Sequence, residues 1–596
     1  MRRLILPHKY YDYYGEPLEP EDVTDADIVE EDDDKKKSDG LFLYEDVESG
    51  VVITGLEPSA IPLVDVLVIP SEIAGRPVFG LGMCAFNIQD SIAKIVIPET
   101  VVALGWQALS GVRAVEVAAN NPRFSSESGA LFDKNKRTLI HFPIDGDFQA
   151  FRMPDTVKVV GESAFLGCKD LTRIVLPEGV ERIDDHAFED CDSLEEIIIP
   201  QGVVSIGDEA FSGCYSLEEI ALPDSVETIG DCAFTDLNRI VIPKSVKTIG
   251  CFALPDEVEV DPENPYLTAD ANALFNKDKT KLICIFSDKE ELRSYVVPDT
   301  VREIGESAFQ NYDQLTSVVF PEGLETIGKS AFLHCMDLKS ALMPDSVKNI
   351  GTSAFMYCWQ VADFVIPKSL ERIGKSAFDG CTGINGAGMR GDFVLPKTVK
   401  EIGEGAFPYC ANVMVAEDNP YYAYESGALY DKNKTRLLHY YHDYEAKTLV
   451  LPKTLKEIDD LTFWGECKLD RIVVPASVEK IGVKTFLGTG ADIEVANDNP
   501  HYSSESGALF NKDKTKLLHF PTNGKLETYV VPDSVQIIEE DAFYYCQSLK
   551  RIVIPPSVRE IGAYAFHEVE ATFCVYKGTL GEKMALSYEC KYEIIE

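Results

Sequence analysis

Long apolar segments are missing from this 596-residue sequence. No run approaches the roughly 20 apolar residues that a transmembrane helix needs, and the start, Met1–Pro7, is basic like a signal peptide but has too short an apolar run for one. Basic residues are also few, since 56 Lys and Arg stand against 99 Asp and Glu, a net charge of −43. Because nucleic acids and anionic membranes attract basic surfaces, we expect no nucleic-acid partner and no membrane insertion.

Signatures of catalysis and of metal binding are missing as well. The sequence has no Gly-x-Ser-x-Gly elbow, phosphate-binding loop, dinucleotide-binding fingerprint or His-Glu-x-x-His helix. It also has no Cys-x-x-Cys pair, the chelating spacing of a zinc site. We predict a protein without catalytic, cofactor-binding or metal-binding residues, and an enzyme with an unrecognised site is the remote alternative.

One unit of 23 residues is repeated along most of the chain. Proline marks its period, for example at Pro154, Pro177 and Pro200, and an Ala-Phe step or a close variant follows in register sixteen times. A fixed period of this size indicates a solenoid, in which each turn buries its apolar side against its neighbours.

Alternation within the unit predicts a short strand. Ile197 and Ile199 are expected to point into the coil, whereas Glu196 and Ile198 point out. Pro200 ends the strand, because proline has no N–H to donate.

Two further positions are interpreted as structural. Gly207 predicts a corner that uses backbone freedom, although Asp184, Asp459 and Glu539 hold its place in other turns. Phe211 is expected to fill the far side of the core.

Fifteen cysteines are present, and eight of them lie three residues beyond the phenylalanine. These eight are Cys168, Cys191, Cys214, Cys335, Cys358, Cys381, Cys410 and Cys546. Disulfide scaffolds are short chains that lack a core, whereas every turn here has one. We therefore predict buried, reduced thiols that pack as small apolar groups.

Four long gaps in the repeat contain a second motif. The four copies begin at Asn121, Asn264, Asn419 and Asn499. Apolar runs flank a turn of alternating Asp or Asn and Lys, which predicts a hairpin that projects from the coil or caps it. A calcium loop is the alternative, but the full oxygen-ligand spacing is missing. His141, His439 and His519 recur at one place in the motif, and this repetition favours packing over catalysis.

The repeat resembles that of the BspA-like leucine-rich repeat family, with the same leucine, isoleucine, proline, glycine, Ala-Phe and cysteine positions in the same order. The resemblance covers roughly residues 41–596. It implies a leucine-rich repeat solenoid of the α/β horseshoe class, rich in strands and poor in helix, with about sixteen turns and four hairpin inserts. It also implies a bacterial protein of surface adhesion that binds other proteins.

The ends of the chain differ from the repeat. We predict a disordered acidic tail over residues 1–40, a capping hairpin over 41–69, the solenoid over 70–572 and a C-terminal cap over 573–596. The resemblance implies the cell surface or secretion, whereas the short apolar start and the many cysteines favour the cytoplasm. The location therefore stays open.

A binding surface is predicted on the outward side of the strands. Its apolar column is Val175, Ile198, Val241, Val296, Val319, Leu342, Val365 and Val394. Its polar column is Arg173, Glu196, Arg239, Asp363, Arg471 and Arg551. The apolar column is either a protein-binding face or a result of the strand propensity of Val and Ile.

The sequence thus predicts a non-enzymatic scaffold for protein binding or adhesion, with an unknown protein as its partner. A homotypic structural assembly is the alternative. Arg390-Gly391-Asp392 spells an integrin-adhesion signature, but Asp392 should already belong to a strand, whereas such signatures act from protruding tips.

Overall fold

The computed structural model describes residues 37–57, 66–86, 92–143, 152–286, 292–361, 365–381, 393–407, 413–441, 446–463, 469–522, 526–587 and 590–595. They form two compact units, the first ending at Lys277 and the second beginning at Asp278. In each unit, successive turns of the chain contribute short strands to parallel sheets. The predicted fold class, a strand-rich repeat solenoid with little helix, is confirmed.

The strands before the repeat proline, together with the strands at the same place in turns that lack this proline, are here called pre-proline strands. They form because their apolar residues alternate. Ile197 and Ile199 are buried, whereas Ile198 between them is exposed, as a period of two requires. Equivalent residues of neighbouring turns lie opposite each other, as Ile174 and Ile197 do. In the first unit these strands are Val66–Val68, Lys94–Ile97, Val115–Val117, Arg173–Val175, Glu196–Ile198, Glu219–Ile220, Arg239–Ile242 and Glu257–Val260. In the second unit they are Ser294–Val296, Ser317–Val319, Phe393–Leu395, Val413–Val415, Thr448–Val450, Arg471–Val474, Asp492–Val495, Thr528–Val530, Arg551–Val553, Thr572–Tyr576 and Tyr592–Ile595.

The strands before the repeat glycine, here called pre-glycine strands, form longer parallel sheets. Most have two residues, and the second is buried in the majority of them, such as Ile206 between Ile183 and Ile229. In the first unit they are Gly50–Leu56, Arg76–Leu81, Ala103–Leu104, Thr138–His141, Val159–Val160, Arg182–Ile183, Ser205–Ile206, Thr228–Ile229 and Thr248–Ile249. In the second unit they are Lys281–Ile285, Glu303–Ile304, Thr326–Ile327, Asn349–Ile350, Arg372–Ile373, Glu401–Ile402, Arg436–Tyr440, Glu457–Ile458, Lys480–Ile481, Lys516–His519, Ile537–Ile538 and Glu560–Ile561.

The pre-glycine strands define about 21 levels among the described residues, whereas the sequence predicts about sixteen. The additional levels come from Gly50–Leu56 near the N-terminus and from the third strand of each insert. These strands lack the Ala-Phe step by which the turns are counted in the sequence.

The four inserts are built into the coil. Each starts with an antiparallel hairpin: Phe124–Glu127 with Ala130–Asp133, Leu267–Ala269 with Ala273–Asn276, Tyr422–Glu425 with Ala428–Asp431, and Tyr502–Glu505 with Ala508–Asn511. The chain continues into a third strand that pairs in parallel with the next turn, as Thr138 does with Val159. The hairpin predicted around the Asp/Asn-Lys turn is present as the antiparallel pair of the second and third strands, for example at Phe132 and Leu139. Its predicted projecting or capping role is wrong, because the third strand forms a full level of the coil.

A buried asparagine fastens each insert to the preceding turn. Asn121 Nδ2 donates to the carbonyl oxygens of Pro98 at 2.7 Å and Val101 at 2.9 Å. Its Oδ1 accepts from the backbone N–H groups of Arg123 at 2.9 Å and Phe124 at 2.8 Å. Equivalent sets of four hydrogen bonds are made by Asn264, Asn419 and Asn499.

A column of aromatic rings fills the core of each unit. Phe165 and Phe188 stack at 4.8 Å between ring centroids, and so do Phe309 and Phe332. The inserts add rings to these columns. Their stacked or tilted pairs are Phe142 with Phe165, Tyr440 with Phe463, and Phe520 with Phe543.

The repeat glycine is required by the close approach of neighbouring turns. A Cβ atom on Gly207 would lie 2.5 Å from the backbone nitrogen of Asp185 in the preceding turn. The left-handed residue of this turn lies two positions later, at Glu209, with a φ of 51°. The corner thus depends on the small size of glycine.

Two of the non-glycine corners follow an insert strand. Asp459 Oδ1 lies 2.6 Å from Arg436 Nε, and Glu539 Oε1 lies 2.8 Å from Lys516 Nζ. Both basic residues belong to the third strand of an insert. The carboxylate that replaces the repeat glycine therefore forms an ion pair with the insert.

The terminal elements differ from the repeat. Lys37–Ser38 and Phe42–Val47 pair antiparallel, as do Phe42–Val47 and Gly50–Leu56, and Glu72–Ile73 pairs with Arg76–Leu81. Leu580–Ser587 is the single helix within the described ranges, and no helix there is long and apolar enough to cross a bilayer. The domain boundaries stay a prediction, and residues 1–36 of the predicted tail lie outside the described residues.

Candidate protein-binding surface

All eight predicted apolar residues point to solvent. Each is between 43% and 69% exposed, whereas an adjacent residue such as Val318 beside Val319 is buried. The first unit carries Val175, Ile198 and Val241, and the second carries Val296, Val319, Leu342, Val365 and Val394. Their exposure fits both explanations of the column, binding and strand propensity.

The register shows where the apolar column is interrupted. The strand before each insert places a residue opposite the column, and in three cases it is a glutamate: Glu116 opposite Val96, Glu259 opposite Val241 and Glu494 opposite Val473. The fourth is Met414, opposite Val394 and 38% exposed. Sequence analysis misses these four residues because their strands are not followed by the repeat proline.

The longest uninterrupted stretch lies in the second unit. It consists of Val296, Val319, Leu342, Val365, Val394 and Met414, here called the aliphatic ridge. Val296 pairs with Val319, Ser317 bridges Ser340 two residues before Leu342, and Val394 pairs with Met414. At the usual strand spacing of about 4.8 Å, six levels extend about 24 Å.

The polar column forms ion pairs between strands of the same sheet, which are adjacent in three cases and two apart in the fourth. Arg173 Nε lies 2.8 Å from Glu196 Oε2 and Arg239 Nη2 lies 2.7 Å from Glu259 Oε2. In the second unit, Arg471 pairs with Glu494 and Arg551 with Glu593, both at 3.0 Å. These pairs are exposed, so each contributes little to stability. The binding role of this column stays a prediction, and Asp363 and the Arg390-Gly391-Asp392 segment lie outside the described residues.

The described cysteines of the ladder are buried and free of disulfide bonds, as the sequence predicts. Six of the thiols point at a phenylalanine carbonyl of the preceding turn, for example Cys214 Sγ at 3.2 Å from Phe188 O and Cys335 Sγ at 3.0 Å from Phe309 O. Burial raises the pKa of the Cys335 thiol, which keeps it protonated and unreactive. Cys410 lies outside the described residues.

The recurring histidines are buried in the third strands of the inserts. His141 Nε2 lies 2.9 Å from the carbonyl oxygen of Val112. Burial lowers the pKa of His519 to about 3, so this ring is neutral near pH 7. The prediction that His141, His439 and His519 pack within the insert is confirmed.

Comparison with known proteins adds a family and several structures. A family model described as the BspA type leucine rich repeat region, in six copies, matches residues 141–257, 284–414, 439–529 and 518–582. No curated protein matches the sequence.

Several solved structures are similar at low TM-score. A leucine-rich repeat protein from Eubacterium ventriosum is 19% identical over 52% of this chain and 98% of its own, with a TM-score of 0.33. The pneumococcal vaccine antigen PcpA is 16% identical over 94% and 98%, with a TM-score of 0.29. A leucine rich cell surface protein from Faecalibacterium prausnitzii is 16% identical over 92% and 97%, with a TM-score of 0.25.

Proposed function

Because the chain belongs to the BspA-type leucine-rich repeat family, we propose that it is a non-enzymatic scaffold that binds a protein partner through the aliphatic ridge. The observation that carries this proposal is the row of six exposed aliphatic side chains in consecutive turns. Contiguous exposed apolar surface in a folded protein often marks a site of interaction.

Charge around the ridge indicates the kind of partner. The exposed residues three positions after the ridge residues are acidic towards the Val296 end and basic towards the Val394 end: Asp299, Glu322, Asp345, Lys368 and Lys397. The whole chain carries a net charge of −43. Since complementary charge speeds association and rejects wrong partners, the partner should present an apolar strip with basic residues beside it.

A second copy of the chain is the alternative partner, and it would make the protein a homotypic assembly. Two copies would bring together two strongly negative molecules, which repel each other. The charge therefore favours a different, basic protein.

The test places charge in the middle of the ridge. The variant Val319→Glu with Val365→Glu should lower capture of the partner at least tenfold, because binding energy concentrates in the desolvated centre of an interface. The matched control is Val450→Glu with Val530→Glu, at exposed strand positions of the same unit outside the ridge. Captured proteins from the native environment are quantified by mass spectrometry, and circular dichroism verifies the fold.

Equal capture by the two folded variants would contradict the proposal and leave the ridge as strand-forming surface. Light scattering over a dilution series separates the two partners. Self-association that only the ridge variant abolishes would identify a second copy as the occupant.

A further inference from the structure

Three metal-ligating side chains meet on the first unit. His186 Nδ1 lies 2.9 Å from Glu189 Oε2 and 3.8 Å from Glu209 Oε2, and the three ligand atoms lie within 4.8 Å of one another. His186 and Glu189 belong to one turn, and Glu209 belongs to the next. Sequence analysis misses the cluster because its residues vary from turn to turn and match no chelating motif.

The histidine is held with its Nδ1 towards the carboxylates. Its side chain is 10% exposed, and its ring lies edge-on to the ring of Trp106 with centroids 6.3 Å apart. The buried Nδ1 makes no hydrogen bond of normal geometry, although Glu189 is close enough for one. Glu189 and Glu209 are partly open to solvent, so an ion can reach the cluster.

Negative charge accumulates around these residues. The Glu189 and Glu209 carboxylates both face His186 Nδ1, and the acidic residues Asp185 and Asp208 adjoin His186 and Glu209 in the sequence. A divalent cation would relieve this repulsion.

We propose that His186, Glu189 and Glu209 bind one divalent transition-metal ion, with Zn²⁺ as the best fit. Zinc takes one imidazole nitrogen at about 2.0–2.1 Å and carboxylate oxygens at about 2.0–2.2 Å, which places neighbouring ligand atoms about 3–3.5 Å apart. The observed separations of 2.9 and 3.8 Å lie on either side of this range. Three protein ligands leave a fourth position for water. The ion joins two consecutive turns, and it therefore stabilises the fold.

The test is isothermal titration of the metal-free full chain with Zn²⁺. We expect one saturable site per chain and a higher melting temperature in excess zinc. Glu189→Gln keeps the size of the side chain and removes its charge, so the affinity should fall at least tenfold, and His186→Ala should abolish this site. The matched control is His334→Ala, at a histidine in a turn of the second unit outside the cluster, and it should bind zinc like the parent chain.

Two results would overturn the proposal. One is the absence of a saturable site. The other is zinc affinity that Glu189→Gln leaves unchanged. Such a result would be expected if cysteine thiols bound the zinc. If His186→Ala does not fold, Glu189→Gln decides the question alone, because its side chain is partly exposed.

Discussion

Buried asparagines show how a single side chain fixes a large element of this protein. Asn121 satisfies two carbonyl oxygens of the preceding turn and two N–H groups of its own insert. Without the amide, these two carbonyl oxygens and two N–H groups lose their hydrogen-bond partner. The register of a whole hairpin therefore depends on one amide.

Asn121→Ala is expected to destabilise the first unit by about 3 kcal/mol or more, since each buried polar group left unsatisfied costs about 1–3 kcal/mol. Urea denaturation followed by circular dichroism measures the change. The control is Asn497→Ala, at an exposed position, which should change the midpoint little. Equal midpoints for the two variants would mean that water replaces the amide.

A buried carboxyl gives a prediction with a defined pH dependence. Burial raises the pKa of Asp379 to about 6, and its Oδ1 has no hydrogen-bond partner within the described residues. The folded state therefore holds the proton more tightly than the unfolded state, whose pKa is about 3.9. The free energy of unfolding is therefore highest below about pH 4, falls as the pH rises from 4 through 6, and stays at the lower value above that.

Asp379→Asn should therefore stabilise the protein by about 2 kcal/mol at pH 8 and by little at pH 4. Denaturant unfolding at the two pH values measures the difference. Asp299→Asn, at an exposed carboxyl, is the control and should show no such dependence. A gain that is the same at both pH values would exclude ionisation as its cause.

At the scale of elements, the turn is the unit of stability, and its aromatic ring links it to both neighbours. Phe332 is fully buried and stacks on Phe309 at 4.8 Å and on Phe355 at 5.1 Å. Its removal opens a cavity that touches three turns.

Phe332→Ala is expected to cost about 3–5 kcal/mol, because both stacking partners lose contact. Hydrogen exchange should show the loss in the turns of Phe309 and Phe355 first, since repeat proteins are stabilised by nearest neighbours. The control, Tyr215→Ala, removes a ring that is 70% exposed and should have little effect. Protection lost evenly throughout the second unit would contradict this local coupling.

The elements also show what sequence can and cannot predict. Alternation and proline predict the pre-proline strands, because they depend on local chemistry. The third strand of an insert escapes prediction, since its pairing with the next turn, as at Thr138 and Val159, is set by tertiary stacking. Gly207 is predicted to form a corner. The reason that glycine is needed there, the close approach of the preceding turn's backbone, cannot be read from the sequence of one repeat. Met414 and the His186 cluster depend on inter-turn register in the same way.

At the scale of the whole molecule, net charge opposes the local ion pairs. Exposed pairs between consecutive turns, such as Lys348 with Glu325 at 2.9 Å and Lys456 with Glu479 at 2.8 Å, contribute little each. The net charge of −43 acts against the folded state through repulsion.

Raising the salt concentration from about 10 to 150 mM should therefore raise the melting temperature, because the Debye length shortens from about 30 to 8 Å. Differential scanning calorimetry in NaCl measures this at constant pH. A matched series in uncharged sucrose separates screening from general solute effects. A melting temperature that falls with salt would show that the ion pairs outweigh the net charge.

The position of the inserts has a consequence for how binding would change in evolution. The aliphatic ridge begins after the second insert and ends at Met414, directly before the third. The length of the ridge is therefore set by the number of repeats between the second and the third insert. Duplication or loss of one 23-residue segment in the gene would change that length by one strand spacing, about 4.8 Å, and would leave the remaining turns with neighbours of the same kind. Partner recognition in such a lineage would change in discrete steps.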